Sequence, residues 1–559
     1  MRRPLLLVLL LAAGCSLPLP SGVRTPSKVT GQDQTAELQV LPQGPTPGQG
    51  ASAVVAGFIA AQASPVGDYA IAREYLTDRA ANEWSPERSI RVFSPESENV
   101  GQPDHNNLPN QANVPVVMST IAGVDSSGHY TAGSSRANDT YGLTKQSGSW
   151  RISRLPEDVG LQLSQTDLLR TFAVRNVYYL APQLQPNDQR HLVPDRVFLP
   201  NGPDLADAMV RRLLTAPSQG LAGSVDEKAS PSLSAVSVTR TDGVVTVTLT
   251  DEAAAYQPDE LRDLFAQLVW TLRQDPRFTG LRLRTASQVL RLDGDPEVEP
   301  ATAFASYDPS GLSDVPAYYW LADGRLKSTA SLGSSALTQS TLDEVAVSPR
   351  GDHIAGLRRR AGRDDVLLGS ARGPATTAAR DSALSSPTWG SGEGGLWLIR
   401  GRSSVVRVDP RGGGLQAVDL PHRPPGALTS LAVSRDGVRA AVVIAGAVYV
   451  GRVAWNGSAA RVVDLQPIAS SVPVQQVVWS TPTEVVILIG ESSGGGKIVQ
   501  RLPIDGSAQL PQLALGLLSP TSITAAGGTV LASSGSTPQV FVVGQKAPLQ
   551  KGSRPVFPG

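Results

Sequence analysis

Leu431-Ala432-Val433-Ser434-Arg435-Asp436-Gly437 is a short apolar run that ends on a serine and a turn, and the chain repeats the pattern. Val345-Ala346-Val347-Ser348 runs into Pro349-Arg350-Gly351-Asp352, and Pro387-Thr388-Trp389 into Gly390-Ser391-Gly392. Val477-Val478-Trp479-Ser480 runs into Thr481-Pro482-Thr483, and Ile523-Thr524-Ala525-Ala526 into Gly527-Gly528. Aligned on Ser348, Gly390, Ser434, Ser480 and Ala526, the spacings are 42, 44, 46 and 46 residues. A small-apolar strand follows each run, such as Ala440 to Ile444 or Val485 to Ile489. A third follows that, such as Val366 to Leu368, Val405 to Val408 or Val540 to Val543. A period of roughly 40–45 residues with three or four strands per repeat reads as a β-propeller. Five blades are recognisable over residues 301–559 and the segment has room for six, with Tyr318 to Leu326 in a blade completed by the far end of the chain. Closing the ring removes exposed sheet edges, which a sandwich of the same strands would leave.

Upstream, residues 164–300 alternate strands with helices. Val177-Tyr178-Tyr179-Leu180 and His191 to Leu199 read as strands, and Asn201-Gly202-Pro203-Asp204 opens a helix with Leu205, Met209 and Leu213 four residues apart. Val236 to Arg240 and Val244 to Leu249 flank Asp242-Gly243, a favoured two-residue hairpin turn. Pro258, Asp259 and Glu260 suit the positive end of a helix. Its Leu261, Leu264, Phe265, Leu268, Val269 and Leu272 form a broad apolar stripe, and Phe278 to Leu283 returns as a strand. Val177-Tyr178-Tyr179, Leu192-Val193-Pro194, Leu213-Leu214 with Pro217 and Gly220-Leu221, and Gln267-Leu268-Val269 with Thr271-Leu272 together resemble a GerMN domain. The resemblance implies an extracytoplasmic α+β domain with no known catalysis.

Residues 51–163 read as a second α+β unit. Val54, Val55, Phe58 and Ile59 form a helical stripe that Pro65-Val66-Gly67 breaks, and a helix from about Tyr69 to Leu76 carries Ile71 and Tyr75. Trp84-Ser85-Pro86 ends the helical reading. Strand-like runs follow at Ile90 to Phe93, Val114 to Val124, Thr140 to Lys145 and Trp150 to Arg154, giving an antiparallel meander. The order, and the Gly148-to-Ile152 ending, resemble NTF2-like domains, which hold a ligand in their cone or serve as docking modules.

The start of the chain sets its location. Arg2 and Arg3 precede the apolar run Leu5 to Ala13, which closes on Ala12-Ala13-Gly14-Cys15, holding the only cysteine. That run is too short to cross a hydrocarbon core, which needs about 20 residues, and suits the h-region of a signal peptide. The stretch resembles a lipobox, with Ala12 where a leucine is usual. The resemblance implies that residues 1–14 are a signal peptide cut between Gly14 and Cys15. Cys15 then carries N-palmitoyl and S-diacylglycerol groups, and the protein is held on the outer face of the cell membrane. Two or more acyl chains hold firmly where one is marginal. Residues 15–50, rich in Pro, Gly, Ser, Thr and Gln, read as a flexible stalk.

Composition agrees. One cysteine gives no disulfide framework, and 49 basic against 49 acidic residues leave no electrostatic footprint for nucleic acid. His105, His129, His191, His353 and His422 lie in no metal-ligand spacing and read as ordinary surface or hydrogen-bonded histidines, so neither a metal nor a cofactor is expected. Gly490-Glu491-Ser492-Ser493-Gly494 fits the pattern of a nucleophile elbow. Such an elbow needs a following helix, whereas Lys497 to Leu502 reads as a strand, so the stretch is a hairpin loop. Gly494-Gly495-Gly496-Lys497 has Ile498 where a phosphate loop needs Ser or Thr. Arg358-Arg359-Arg360 and Asp364-Asp365 read as charges across a solvated blade hairpin, Asp352 and Asp436 as turn residues, and Trp389 and Trp479 as packing between blades. No catalytic constellation emerges, and the expectation is a protein that is not an enzyme.

The order of parts resembles the LpqB lipoprotein family of actinobacteria. Gly57-Phe58-Ile59 with Ala61, Ala72-Arg73 with Tyr75-Leu76-Thr77, Trp84-Ser85-Pro86 and the closing Pro555-Val556-Phe557-Pro558-Gly559 belong to that resemblance. It implies an accessory of the MtrA–MtrB two-component system that binds the extracytoplasmic domain of the sensor histidine kinase MtrB and affects cell-wall homeostasis and division. The alternative is a propeller lipoprotein that binds or hydrolyses cell-wall glycan. A hydrolase would pair carboxylates roughly 5–10 Å apart in one cleft, and a binder would expose aromatics around the channel.

Overall fold

The computed structural model describes residues 42–559, except 106–107, 184–189, 227–232, 311–315, 333–335, 371–372, 391–393, 410–413, 470–472, 491–495, 508–511, 514–518, 536 and 546. The expected signal peptide and lipidated Cys15, most of the expected stalk and the Glu491-to-Gly495 stretch lie outside the described residues. The folded body spans Gln43–Gly559. It is seated earlier than Ala51, because the Tyr75 hydroxyl donates to the Gln43 carbonyl at 2.8 Å.

The first domain begins with helices α1 (Ala51–Ala61), α2 (Val66–Arg73) and α3 (Asp78–Glu83), the last of which the sequence reading missed. Thr77 caps α3 through its side chain. Strands β1 (Ser89–Phe93), β2 (Asn99–Val100), β3 (Gln111–Asp125), β4 (Tyr130–Gln146), β5 (Ser149–Arg154) and β6 (Leu161–Ser164) form one sheet ordered β5-β4-β3-β1-β6, with β2 on β3. The meander is therefore real, but β6 adds a parallel edge on β1 that no local pattern announced. Along β3 every second residue is buried, from Ala112 to Val124, as a sheet with one face on helices requires. Phe58, Trp84 and Tyr141 meet edge to face inside, and the Trp84 indole N–H donates to the Gly160 carbonyl at 2.8 Å.

The second domain contains α4 (Gln165–Thr171), β7 (Phe172–Leu180), β8 (Leu192–Pro200), α5 (Leu205–Leu213), β9 (Ala235–Thr241), β10 (Val244–Leu249), α6 (Pro258–Leu272), β11 (Gly280–Arg284), β12 (Val289–Leu290) and β13 (Glu299–Pro300). Strands β7 and β8 pair with each other, and β12-β11-β10-β9 form a separate sheet. The expected stripe of α6 is buried throughout, against Met209 and Leu213 of α5 and the inner faces of both sheets. Gln257 and Glu260 form a reciprocal capping box at its start.

The third domain is a six-bladed propeller. Blades II to VI are four-stranded sheets whose inner strands are Glu344–Val347, Leu384–Trp389, Leu428–Val433, Val474–Thr481 and Pro520–Ala526. These are the five repeats read from the sequence. Blade I combines Tyr319–Ala322 and Arg325–Ser328 with an inner strand, Ser553–Val556, from the far end of the chain. At least one hydrogen bond latches each of the six junctions. The N–H groups of Ser386, Val433, Val477, Ile523 and Phe557 donate to side chains of Glu344, Thr388, Ser430, Gln476 and Thr524 at 2.9–3.2 Å. The Gly559 N–H donates to the Val347 carbonyl at 2.9 Å and completes the ring.

Candidate binding channel

All six inner strands run the same way, so equivalent positions face a common central channel of about 320 Å³. Its two ends differ. Ser385, Thr429, Gln475, Thr521, Glu344 and Arg554 lie where the inner strands begin, while Trp389, Trp479, Val347 and Val433 lie where they end. The polar mouth is made by a recurrent irregularity. Pairing with the second strand slips by one residue between Ser385 and Thr388, Leu428 and Ser430, Val474 and Gln476, Pro520 and Ser522, and around Arg554 in blade I. Each slip is a β-bulge, which turns its extra residue away from the ladder. Thr429, Gln475 and Thr521 are those extra residues, and the residue after the first two, Ser430 and Gln476, makes the latch to the next blade.

Glu344 anchors the mouth. Its carboxylate accepts from Ser386 N–H and from Arg359, and Arg554 stands 3.8 Å away. Ser386 and Arg554 both hold left-handed φ, +51° and +48°. The buried Thr429 hydroxyl and Trp389 indole N–H have no hydrogen-bond partner among the described residues. A second cavity, about 500 Å³, lies on the first domain beside His105, Asn113 and Arg154, but Gln111, Ser153 and Arg154 there are exposed, which makes it a surface groove.

The sequence candidates scatter. His105 Nδ1 bonds the Gln111 carbonyl, His191 Nε2 reaches the Asp436 carbonyl at 3.2 Å, and His353 Nδ1 sits 3.1 Å from Asp352. His129 lies against Gly220, and His422 occupies a turn at φ +57°. Strands Glu484–Ile489 and Ile498–Pro503 pair around the Gly490 loop, as a hairpin requires. Trp479 donates to the Ala432 carbonyl of the preceding blade and Trp389 is buried against blade II, so both pack between blades. Asp352 and Asp436 accept from Ser348 and Ser434 in their turns.

The arginine hairpin corrects one expectation. Arg358, Arg359 and Arg360 do face Asp365, Asp364 and Arg363 across the ladder, yet both carboxylates are buried rather than solvated. The Arg358 hydrogen bond at 2.8 Å, with Arg360 and Arg363 nearby, holds the Asp365 carboxyl below its ordinary range.

Asp436 also belongs to a domain junction that the sequence did not show. Arg439, buried beside it, donates to the Pro194 carbonyl of β8 at 2.6 Å. Arg196 of β8 binds Asp505 at 2.7 Å and Ser507 at 3.1 Å, and Ser224 donates to the Val453 carbonyl. On its other side the second domain meets the first, where Arg212 donates to the Ser127 carbonyl and Phe198 stacks on Tyr130 at 5.4 Å. The middle domain is thus wedged between its neighbours.

These features define a class, a three-domain protein in which α+β modules dock on one end of a closed propeller. Known proteins give the same picture. Residues 44–168 match the family described as Lipoprotein LpqB, N-terminal domain, residues 176–289 the family described as Sporulation and spore germination, and residues 323–543 the Lipoprotein LpqB beta-propeller domain. The chain belongs to the LpqB lipoprotein family. It is 28% identical to Lipoprotein LpqB of Thermobifida fusca over 98% of this chain and 97% of that one. It is 27% identical to Lipoprotein LpqB of Streptomyces coelicolor over 89% and 87%. Among solved structures, the tandem GerMN domains of the sporulation protein GerM from Bacillus subtilis align over 24% of this chain and 45% of that one, with TM-score 0.20 and 21% identity. No helix among the described residues is long and apolar enough to cross a membrane.

Proposed function

We propose that this chain is an extracytoplasmic lipoprotein, cut between Gly14 and Cys15 and lipidated at Cys15, that modulates the MtrA–MtrB system by contact with the MtrB sensor domain. The observation that carries the reading is the wedged middle domain, which joins three domains into one body through buried polar contacts such as Arg439 to Pro194. Contact shifts a kinase only if it differs in free energy between two kinase states. A body whose domains hold fixed places meets one state better than the other, where loosely strung domains would follow both. Family membership supports the same reading.

The test is binding of the purified protein to the purified MtrB sensor domain, with Cys15→Ser cells fractionated alongside. The expected result is saturable binding, and loss of the Cys15→Ser protein from the membrane fraction. Failure to bind at high micromolar concentration, with retention on isolated cell wall, replaces the adaptor with the glycan reading.

A further inference from the structure

Around the propeller channel three features coincide at one end. Five of the six inner strands bulge at the same level, which costs ladder pairing in each blade. Two residues other than glycine, Ser386 and Arg554, hold left-handed backbone there, and both touch Glu344. Such backbone costs about 1–3 kcal/mol each and persists where the surroundings enforce it, characteristically at ligand sites. The buried Thr429 hydroxyl, on a bulged residue, has no hydrogen-bond partner among the described residues.

Strand direction also sets which way this mouth faces. The middle domain docks on Asp436, Asp505 and Ser507, in loops at the end where inner strands finish. The bulged mouth lies at the opposite end, away from that contact. Its rim is basic. Exposed Arg325, Arg360, Arg363, Arg380, Arg400 and Arg402 all sit in turns or strand ends of blades I to III on this side. Carboxylates lie among them: Asp365 is buried within 4 Å of Arg358, Arg360, Arg363 and Arg380, Glu344 is buried against Arg359, Asp381 stands 3.5 Å from Arg400, and Asp323 is exposed beside Arg325.

We propose that the bulged mouth is a binding site for a small hydroxyl-rich molecule carrying one acidic group, a sugar acid or sugar phosphate. Thr429, Ser385 and Gln475 supply hydroxyl and amide partners, and Arg554 takes the acid group. Arginines outnumber carboxylates on this side of blades I to III, and a local excess of one sign concentrates the opposite charge. At about 320 Å³ the channel is at the small end of ligand pockets, which run from roughly 300 to 1,000 Å³, so the ligand is one or two rings and not a polymer strand. The site is independent of kinase contact and stands or falls without it.

The test is calorimetric titration of the purified protein with glucuronate, glucose 1-phosphate and, as the neutral comparison, glucose. Titration to about 10 mM detects complexes as weak as roughly 1 mM. The expected result is binding of at least one acidic sugar, at least tenfold tighter than glucose, and a tenfold or greater loss in Arg554→Gln and in Thr429→Val. Should either variant fail to fold, hydrogen exchange of the wild-type inner strands with and without ligand replaces it, with protection expected at residues 428–430 and 474–476. No heat with any of the three probes overturns the site, as does binding unchanged in both variants. Glucose binding equal to the acids overturns the acidic group.

Discussion

Asp275 shows how single residues respond to acid. Burial alone would raise its carboxyl, but hydrogen bonds from the Arg277 side chain and backbone, and from Arg240 at 2.8 Å, outweigh burial and hold it at about 2, below the ordinary 3.8. A folded pKa below the unfolded one stabilises the fold above the unfolded value, and that contribution disappears as pH falls from about 4 through about 2. Asp275→Asn should therefore cost about 2 kcal/mol in urea unfolding at neutral pH, with the gap to wild type closing near pH 2. A gap that stays constant across the acid range would contradict this assignment. At this scale the sequence was partly legible. Asp242-Gly243 declared a turn by local chemistry, and both residues hold left-handed φ, +50° and +83°. Nothing near Asp275 in sequence announced Arg240, because that partner arrives through the sheet.

Among elements, the inner strands carry the most consequence. Gln476 both accepts from Ile523 N–H and donates to the Ile523 carbonyl, so it holds blade V to blade VI with two hydrogen bonds. Gln476→Ala should lower stability by about 1–3 kcal/mol, read as a drop in the denaturant midpoint, since it strands a backbone pair between blades. The closing strand is the more sensitive point. Gly552 sits at φ +144°, and an added Cβ would meet Trp320 Cδ1 at 2.4 Å and the Leu321 carbonyl at 2.6 Å. Gly552→Val should expose the edges of blade I, with faster hydrogen exchange at residues 319–322 than in blades III and IV. Equal protection across all blades would count against closure by this strand. The repeats were legible because apolar runs and turns recur at a near-constant period. The bulges were not, since an extra residue in a strand leaves only a drift in spacing, and Thr429, Gln475 and Thr521 are ordinary strand or surface residue types that mark no bulge.

For the molecule as a whole, stability is tied to how the middle domain is held. Arg439 is buried, faces Asp436 at 3.7 Å and donates across the junction to Pro194. Arg439→Ala leaves the Asp436 carboxylate buried without its cation, a change that costs about 3–5 kcal/mol in comparable pairs. Part of that loss should appear as faster hydrogen exchange at residues 192–196 and 434–438 while blades II and III stay protected. Uniform loss over the propeller would mean that Arg439 serves the blade and not the junction.

The order of the domains, the propeller and its repeat were set locally, by hydrophobic period and turn chemistry, and could be read without coordinates. So could the pairing of Arg358 to Arg360 with Asp364 and Asp365, because a hairpin places near neighbours opposite each other. The parallel strand β6, the bulged mouth around Glu344 and the wedge at Arg439 could not. Each joins residues far apart in the chain, such as Glu344 with Arg554 or Arg439 with Pro194, and no local pattern encodes a partner that only folding brings within hydrogen-bond reach.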